Sequence, residues 1–251
     1  MPSQTANVVD LINRTISLAE ISWDGGKITQ IQRLGDENSA HAYLIPGFVD
    51  AHVHIESAML VPSEFARIAL KHGTLAAVAD PHEIANVLGE AGIDFMLEDA
   101  AQTPFYYLFG APSCVPATPF ETAGAEFDAA SIEKLFKEKK AGYLSEMMNY
   151  PGVLHNQKSV MEKISVAKRF GMTIDGHAPG LTAGLAAKYA HAGIETDHEC
   201  TSLDEALDKI RAGMIILIRD GSAANDFEKL HSLISDFPER VMFCSDDKHP
   251  D

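Results

Sequence analysis

Two histidines separated by one residue are the first groups in this sequence whose type and spacing could do chemistry. The segment Pro46 to His54 reads PGFVDAHVH and places His52 and His54 at the end of an apolar run that is typical of a buried strand. Side chains alternate along a strand, so both imidazoles point to the same side. On this spacing alone, they are either a metal-binding pair or two ordinary half-buried histidines.

Four more potential metal ligands follow short apolar runs later in the chain. Glu146 comes after GYLS, His177 after TIDG, His198 after TD and Asp246 after FCS. If these runs are strands of one barrel, their C-terminal ends share a face, which is where the active sites of such barrels lie. Satisfied polar groups in an ordinary barrel are the alternative, but six metal-type residues at predicted strand ends favour a metal site.

Imidazole and carboxylate ligands suit Zn, Fe(II) or Mn. A carboxylate such as Glu146 can bridge two ions, so the set also fits a centre of two metals. Such a centre lowers the pKa of a bound water from about 15.7 to near 7. The sequence therefore predicts a site that generates a hydroxide nucleophile near neutral pH.

The elements that must position these residues alternate between strand-like and helix-like patterns. Capping boxes at residues 159–162 and 202–205 predict helix starts, and Gly171 and Gly213 predict helix ends. A spacing of about 28 residues between runs is long enough for one β/α unit each. We predict an α/β fold, with a small β segment at residues 1–43 and a TIM-type (β/α)8 barrel at residues 44–251. The eight predicted strands begin near Leu44, Thr74, Phe105, Gly142, Met172, Ile194, Met214 and Val241.

The end of the sequence is unusual for such a barrel. It stops at Asp251, directly after the eighth predicted strand, so we expect a barrel truncated before its last helix. Either the chain is a fragment of a longer protein or a partner supplies the missing part. We favour the fragment.

The composition argues against several classes of function. The chain has 20 Lys+Arg and 36 Asp+Glu, and the formal net charge of −16 opposes binding to nucleic acid. No apolar run approaches the roughly 20 residues of a membrane span, and the N-terminus has no signal-peptide pattern. Three cysteines without a C-x-x-C pair favour reduced thiols in the cytoplasm.

Several longer segments resemble one known family. The first, PGFVDAHVHIESAM, marks only the amidohydrolase superfamily, whereas DPHEI at 80–84 and EMMNYPG at 146–152 are more specific to its adenine deaminases. The resemblance covers nearly all of residues 44–251, although family members are longer and have a composite β domain and a further C-terminal domain. The other segments that carry it are ADPHEIANVLGEAGI, PSCVPATPFETAG, SEMMNYPGV, DGHAPGL, IRDGSAA and CSDDKHP.

The resemblance implies hydrolytic deamination of adenine to hypoxanthine and ammonia by a metal-activated hydroxide that attacks C6. It implies two divalent metal ions (Mn, Fe(II) or Zn) and a small-molecule purine base as the partner, and it leaves a homo-oligomer open. Asp246 would take the proton of the water and relay it. The positions that match the family's metal ligands are His52, His54, Glu146, His177, His198 and Asp246.

Residues beside the predicted ligands are expected to act on the substrate. His82 and Glu83 follow the second predicted strand, and we expect a catalytic or purine-contacting role for both. The alternative is that they only begin the next helix, where a carboxylate favours the helix dipole. Four further residues at strand ends either contact the substrate or form turns: Ser113, Arg219, Asp220 and Ser222.

Asp246 and Asp247 are adjacent, and strand alternation predicts that only one of them faces the metals. We assign that position and the proton transfer to Asp246, because it follows the apolar run directly.

Two other interpretations compete with the deaminase. A relative that opens a cyclic amide often has a carboxylated lysine where this chain has Glu146, and a non-catalytic barrel would keep the ligands without turnover.

Overall fold

The computed structural model of the chain describes residues 1–118 and 120–250. Pro119, within the segment PSCVPATPFETAG, and Asp251 lie outside the described residues. The predicted α/β fold is confirmed. The chain divides into two compact units, Met1–Phe48 and Val49–Asp251.

The first unit is a four-stranded sheet. Gly25 and Gly26 connect its second and third strands, and both have positive φ, as a two-residue hairpin turn of the primed type requires. Ala6, Ala19 and Ile21 are its buried apolar residues. In spatial order the strands are β3 (Lys27–Asp36), β2 (Thr15–Asp24), β1 (Ser3–Asp10) and β4 (Tyr43–Leu44), with β4 parallel to β1.

The predicted start of the first barrel strand near Leu44 is wrong. Leu44 lies opposite Val8 in the small sheet, because β4 pairs with β1 through two residues. The strand that carries the histidine pair begins at Phe48 instead. A proline and a glycine, Pro46 and Gly47, separate these two strands.

The second unit contains eight strands among the described residues. Their pairings are parallel wherever β6 to β9 and β10 to β12 meet, as crossover helices between successive strands require. One sheet contains β5 (Phe48–Val53), β6 (Thr74–Ala79), β7 (Tyr106–Ala111), β8 (Tyr143–Met147) and β9 (Ile174–Gly176); the other contains β10 (Thr196–Asp197), β11 (Ile215–Arg219) and β12 (Val241–Cys244).

Backbone hydrogen bonds connect the two sheets at both edges. Between β9 and β10, the amide of Glu195 donates to the carbonyl of Ile174 at 2.9 Å. At the other edge, Asp246 forms a parallel bridge with Val53, and its amide donates to the carbonyl of His52 at 2.9 Å. The segment after β12 therefore lies beside β5.

Helices follow the strands and cover the core. Ser202 caps α8 by accepting from the amide of Glu205, as predicted, whereas the box at residues 159–162 is wrong because α6 already begins at Lys158. Among the described residues, no helix has the length and apolar character to cross a membrane. The helices are α1 (Pro62–Ala69), α2 (His82–Leu88), α3 (Glu90–Ala100), α4 (Ala129–Lys137), α5 (Tyr150–Leu154), α6 (Lys158–Phe170), α7 (Ala183–His191), α8 (Leu203–Arg211), α9 (Phe227–Leu230) and α10 (Leu233–Asp236).

Candidate metal centre

The six predicted ligands come together at the C-terminal ends of the strands of the second unit. Parallel strands present these ends on one face, so residues far apart in sequence meet there. All but His177 are buried, and the side chain of His177 is 28% exposed. The strands place them as follows: His52 in β5, His54 directly after it, Glu146 in β8, His177 after β9, His198 after β10 and Asp246 after β12.

One group of ligands forms around His52 in β5 and His54, which directly follows it. The Nε2 atoms of His52 and His54 lie 3.0 Å apart. Oδ1 of Asp246 lies 3.6 Å from the first and 3.3 Å from the second. Two imidazole nitrogens and a carboxylate oxygen converging at this distance are a donor set that suits a divalent cation.

A second group forms around Glu146. Its Oε2 lies 2.6 Å from Nδ1 of His177 and 3.2 Å from Nε2 of His198. Its other oxygen, Oε1, faces the first group and lies 3.5 Å from Nε2 of His54. Glu146 thus presents one oxygen to each group, which is the arrangement of a carboxylate that bridges two ions.

Asp175 orients the first histidine, and the sequence analysis did not assign it a role. Its Oδ2 lies 2.7 Å from Nδ1 of His52, and its other oxygen accepts from the amide of Gly176. A proton shared on this side leaves Nε2 of His52 free to act as a ligand. The signal was the two-residue spacing between Asp175 and His177, which places both on one side of a strand.

Asp80, His82 and Glu83 extend the cluster on the side of β6. Glu83 Oε1 lies 3.2 Å from Nδ1 of His54, and Asp80 Oδ2 lies 3.1 Å from Nδ1 of His82. Neither contact has the alignment of a hydrogen bond, and both oxygens of the fully buried Asp80 remain without one. Buried polar atoms without partners are unfavourable. Their presence supports a cation or polar group between them.

The charges of the cluster compensate one another. Burial by itself lowers the pKa of His52, but the carboxylate of Asp175 outweighs it and raises the pKa to about 9. Burial raises the pKa of Glu146, but hydrogen bonds with His177 and His198 hold it well below its usual range. The carboxylates therefore favour positive charge at the centre, and the residues present fit divalent metal ions.

A cavity of about 410 Å³ opens onto these groups, within the range of small-molecule sites. His82 and Glu83 line it together with four of the six predicted ligands, His54, Glu146, His177 and Asp246. Glu199 also lines it and was missed by the sequence analysis, although it directly follows His198. Its carboxylate accepts a hydrogen bond from Arg219.

Of the four residues predicted to contact substrate, Arg219 lies at the cavity. Its Nη1 is 3.3 Å from Oδ2 of Asp246, and its Nη2 is 3.0 Å from Oδ2 of Asp226. The other three have different partners. Ser113 donates to the backbone carbonyl of Glu146, Asp220 accepts from Asn225, and Ser222 accepts from the amide of His249. Substrate contact by Ser113, Asp220 and Ser222 remains a prediction.

The expectation that only one of Asp246 and Asp247 faces the site is wrong, because both line the cavity. Asp246 has φ of +53° and therefore leaves the extended conformation on which alternation depends. Asp247 accepts a hydrogen bond from the hydroxyl of Ser57, whereas Asp246 contacts His52 and His54. The two carboxylates thus share the cavity but have different neighbours.

Comparison with known proteins gives one family and one group of relatives. The model of the amidohydrolase family matches residues 43–242. Adenine deaminases from Methanosarcina barkeri and Salinibacter ruber are 54% and 52% identical to this chain over 97% and 99% of its length. The chain spans 44% and 45% of the length of these two relatives.

Solved structures with similar folds are more distant in sequence. N-acetyl-D-glucosamine-6-phosphate deacetylase from Mycobacterium smegmatis is 14% identical with a TM-score of 0.61, covering 97% of this chain and 76% of that one. Atrazine chlorohydrolase from Arthrobacter aurescens, complexed with zinc, is 13% identical with a TM-score of 0.63, covering 96% and 70%. At this identity the likeness concerns the fold alone.

Proposed function

The chain belongs to the amidohydrolase family, and from that premise we propose that it carries the catalytic barrel of an adenine deaminase. The reaction is the hydrolysis of adenine to hypoxanthine and ammonia. The observation that carries the proposal is the convergence of four imidazoles and two carboxylates in one cluster, four of which line a single cavity: His54, Glu146, His177 and Asp246. We infer adenine as the substrate because the relatives at 52–54% identity are named adenine deaminases.

The proposal includes a closed (β/α)8 barrel. Its support is the order of the eight strands in the second unit, together with the backbone bonds at both edges of the two sheets. A closed barrel would hold every ligand-bearing strand end on one face. We also propose a cytoplasmic location, because the three cysteines are unpaired thiols.

The residues that would hold two divalent ions, Zn, Mn or Fe(II), are the six predicted ligands, with Glu146 shared between the two. Ions bound there would lower the pKa of a bound water toward neutrality. Glu146 suits the shared position because each of its oxygens faces a different histidine group. Asp175 would keep Nε2 of His52 directed at the centre.

Asp246 is the proposed proton carrier. Its carboxylate lies at the cavity, 3.3 Å from Nε2 of His54 and 3.3 Å from Nη1 of Arg219. Burial raises its pKa, but the hydrogen bond with His54 and the charges of His198 and His52 outweigh burial and hold the pKa below its usual range. It accepts a proton from the attacking water and returns it to the amino group that leaves C6 as ammonia. Water thus supplies the oxygen of hypoxanthine and two protons: one passes through Asp246 to the leaving amino group, and the other ends on N1 of the ring, so the reaction balances without a further reactant.

His82 and Glu83 are proposed to act on the purine from the β6 side of the cavity. Their side chains contact each other, with 3.5 Å between Nε2 and Oε1. Both line the cavity, so either can exchange a proton or a hydrogen bond with a ring nitrogen. Arg219 borders the same space and is proposed to fix the neighbouring carboxylates around the base.

The test is the release of ammonia from adenine and from adenosine by the full-length, metal-loaded protein. We expect adenine to react far faster, because a ribose on N9 would have to fit a cavity built for the free base. Hypoxanthine should form in equal amount to ammonia. Equal or better turnover of adenosine, or hydrolysis of dihydropyrimidines instead, would contradict the proposal.

A further inference from the structure

Lys209 lies behind the metal centre, on α8, and is completely buried. Its ammonium group donates three hydrogen bonds, to the carbonyl of Ala178 at 2.7 Å, to Oδ1 of Asp197 at 2.7 Å and to Oε1 of Glu205 at 2.8 Å. A lysine without solvent contact is rare unless its charge is paired. Burial lowers the pKa of Lys209, but the carboxylate of Asp197 outweighs it, so the group stays charged.

The partners of Lys209 are sequence neighbours of two candidate ligands. Ala178 directly follows His177, and Asp197 directly precedes His198. Asp197 connects the same two segments a second time, because its Oδ2 accepts from the amide of Ala178 at 2.9 Å. One ammonium and one carboxylate thus join the ends of β9 and β10 at the point where each presents a histidine.

Glu205 extends the same network along both loops. Its Oε1 accepts from the amide of Gly180 at 2.8 Å, and its Oε2 accepts from the amide of Thr201 at 3.3 Å. Asp197 Oδ1 also accepts from the amide of Glu199 at 2.9 Å. The backbone amides of Gly180 and Thr201 therefore stabilise the negative charge of Glu205, the second carboxylate that is paired with Lys209. A buried ion network of this kind holds a geometry only when every member has partners.

We propose that Lys209 is a positioning residue of the metal centre, whose ammonium group fixes the loops that carry His177 and His198 and so sets the affinity for the ion these histidines bind. The inference rests on the proposed metal centre. Lys209 does not line the described cavity, and the hydrogen bonds of its ammonium group go to Ala178, Asp197 and Glu205 rather than to the side chains of the proposed ligands. Its effect passes through the backbone of the two loops.

The experiment measures ion affinity rather than turnover. Metal-free full-length protein is titrated with Zn²⁺ in competition with a chromophoric chelator. We expect Lys209→Met to weaken one of two bound ions by about 10–100-fold, as loss of an outer partner of metal ligands usually does. The affinity for the other ion, proposed to bind at His52, His54 and Asp246, should not change. None of these side chains forms a described hydrogen bond with Lys209, Asp197 or Glu205.

Two control variants separate positioning from general loss of stability. Ile132→Ala on α4 creates a cavity in a fully buried core position and should lower the melting temperature while leaving both ion affinities unchanged. Lys188→Met removes an exposed lysine from α7 and should change neither quantity. If Ile132→Ala weakens the same ion as Lys209→Met does, the inference is overturned.

Glu205→Gln gives a second, milder test that does not remove the ammonium. It leaves Lys209 paired with Asp197, and we expect a smaller loss of affinity at the same ion. Unchanged affinities in both Lys209→Met and Glu205→Gln would overturn the inference, and so would an equal loss at both ions. If Lys209→Met does not fold, unchanged affinities in Glu205→Gln alone overturn it. A wild-type protein that binds no ion would overturn the proposed centre itself.

Discussion

Asp246 is proposed both as a metal ligand and as the proton carrier, and one substitution tests the two roles separately. Asp246→Asn keeps the shape of the residue and leaves five proposed ligands, so we expect the fold and most of the metal to remain. The rate of ammonia release should fall by about 10²–10⁴-fold, the usual effect of removing a general acid or base. Steady-state kinetics on the full-length protein, with metal content measured on the same sample, check this expectation.

Asp247→Asn is the matched control for that variant. Asp247 lines the same cavity, but it contacts the hydroxyl of Ser57 rather than the histidines of β5. We therefore expect a milder loss of rate than for Asp246→Asn. An unaffected Asp246→Asn beside an inactive Asp247→Asn would reverse the assignment of the proton carrier.

Asp175 gives a test of ligand orientation. Asp175→Asn removes the charge that holds the proton on Nδ1 of His52, at 2.7 Å. We expect ion affinity to fall by about 10–100-fold, because second partners of ligating histidines have effects of that size. Asp24→Asn, in the exposed hairpin of the first unit, is the control and should bind ions like wild type. Wild-type affinity in Asp175→Asn would show that His52 needs no such partner.

At Gly110, strand β7 closely approaches β8, the strand that carries Glu146. A Cβ at Gly110 would lie 2.1 Å from Oγ of Ser145 and 2.7 Å from Cζ of Tyr143. We expect Gly110→Ala to lower the free energy of unfolding by about 1–3 kcal/mol, because overpacking forces neighbouring side chains out of place. Urea unfolding followed by circular dichroism measures the change.

At Gly184, we expect the same Gly→Ala substitution to change the free energy of unfolding in the opposite direction. It is the second residue of α7, and a Cβ there would meet nothing within 4 Å. Gly184→Ala should therefore raise the free energy of unfolding, by up to about 1 kcal/mol, through the better helix propensity of alanine. Equal changes for Gly110→Ala and Gly184→Ala would mean that the approach of β7 to β8 is looser than the structure shows.

Strand positions could be predicted because each buried parallel strand is a short apolar run with a glycine or helix end nearby. The predicted starts at Thr74 and Val241 coincide with β6 and β12. The prediction failed near Leu44, because the apolar run at residues 42–45 belongs to a two-residue strand that pairs with β1 and not to the barrel strand that begins at Phe48. It failed again at Ser159, where the signal of a capping box lies inside a helix that starts one residue earlier.

The molecule as a whole explains why the convergence of the six candidate ligands could be predicted and the residues that support them could not. A ligand type at the end of a predicted strand is visible in sequence, as for His52 and Glu146. Asp175 and Glu199 contact His52 and Arg219, which lie on other strands, and such contacts depend on how the strands meet. The direction of the Asp247 side chain depends on the positive φ of Asp246, and no periodic pattern in the sequence predicts that φ.

Dependence of adenine hydrolysis on bound ions tests the central claim most directly. The full-length protein is stripped with a chelator, and ammonia release from adenine is measured while Mn²⁺, Fe²⁺ or Zn²⁺ is added back under anaerobic conditions. We predict that activity disappears when the metal is removed and returns in proportion to bound metal. It should reach its maximum when ions occupy both ligand groups, the one at His52, His54 and Asp246 and the one at Glu146, His177 and His198. Ammonia release that persists in the stripped protein, or none when both ion sites are filled, would contradict the account.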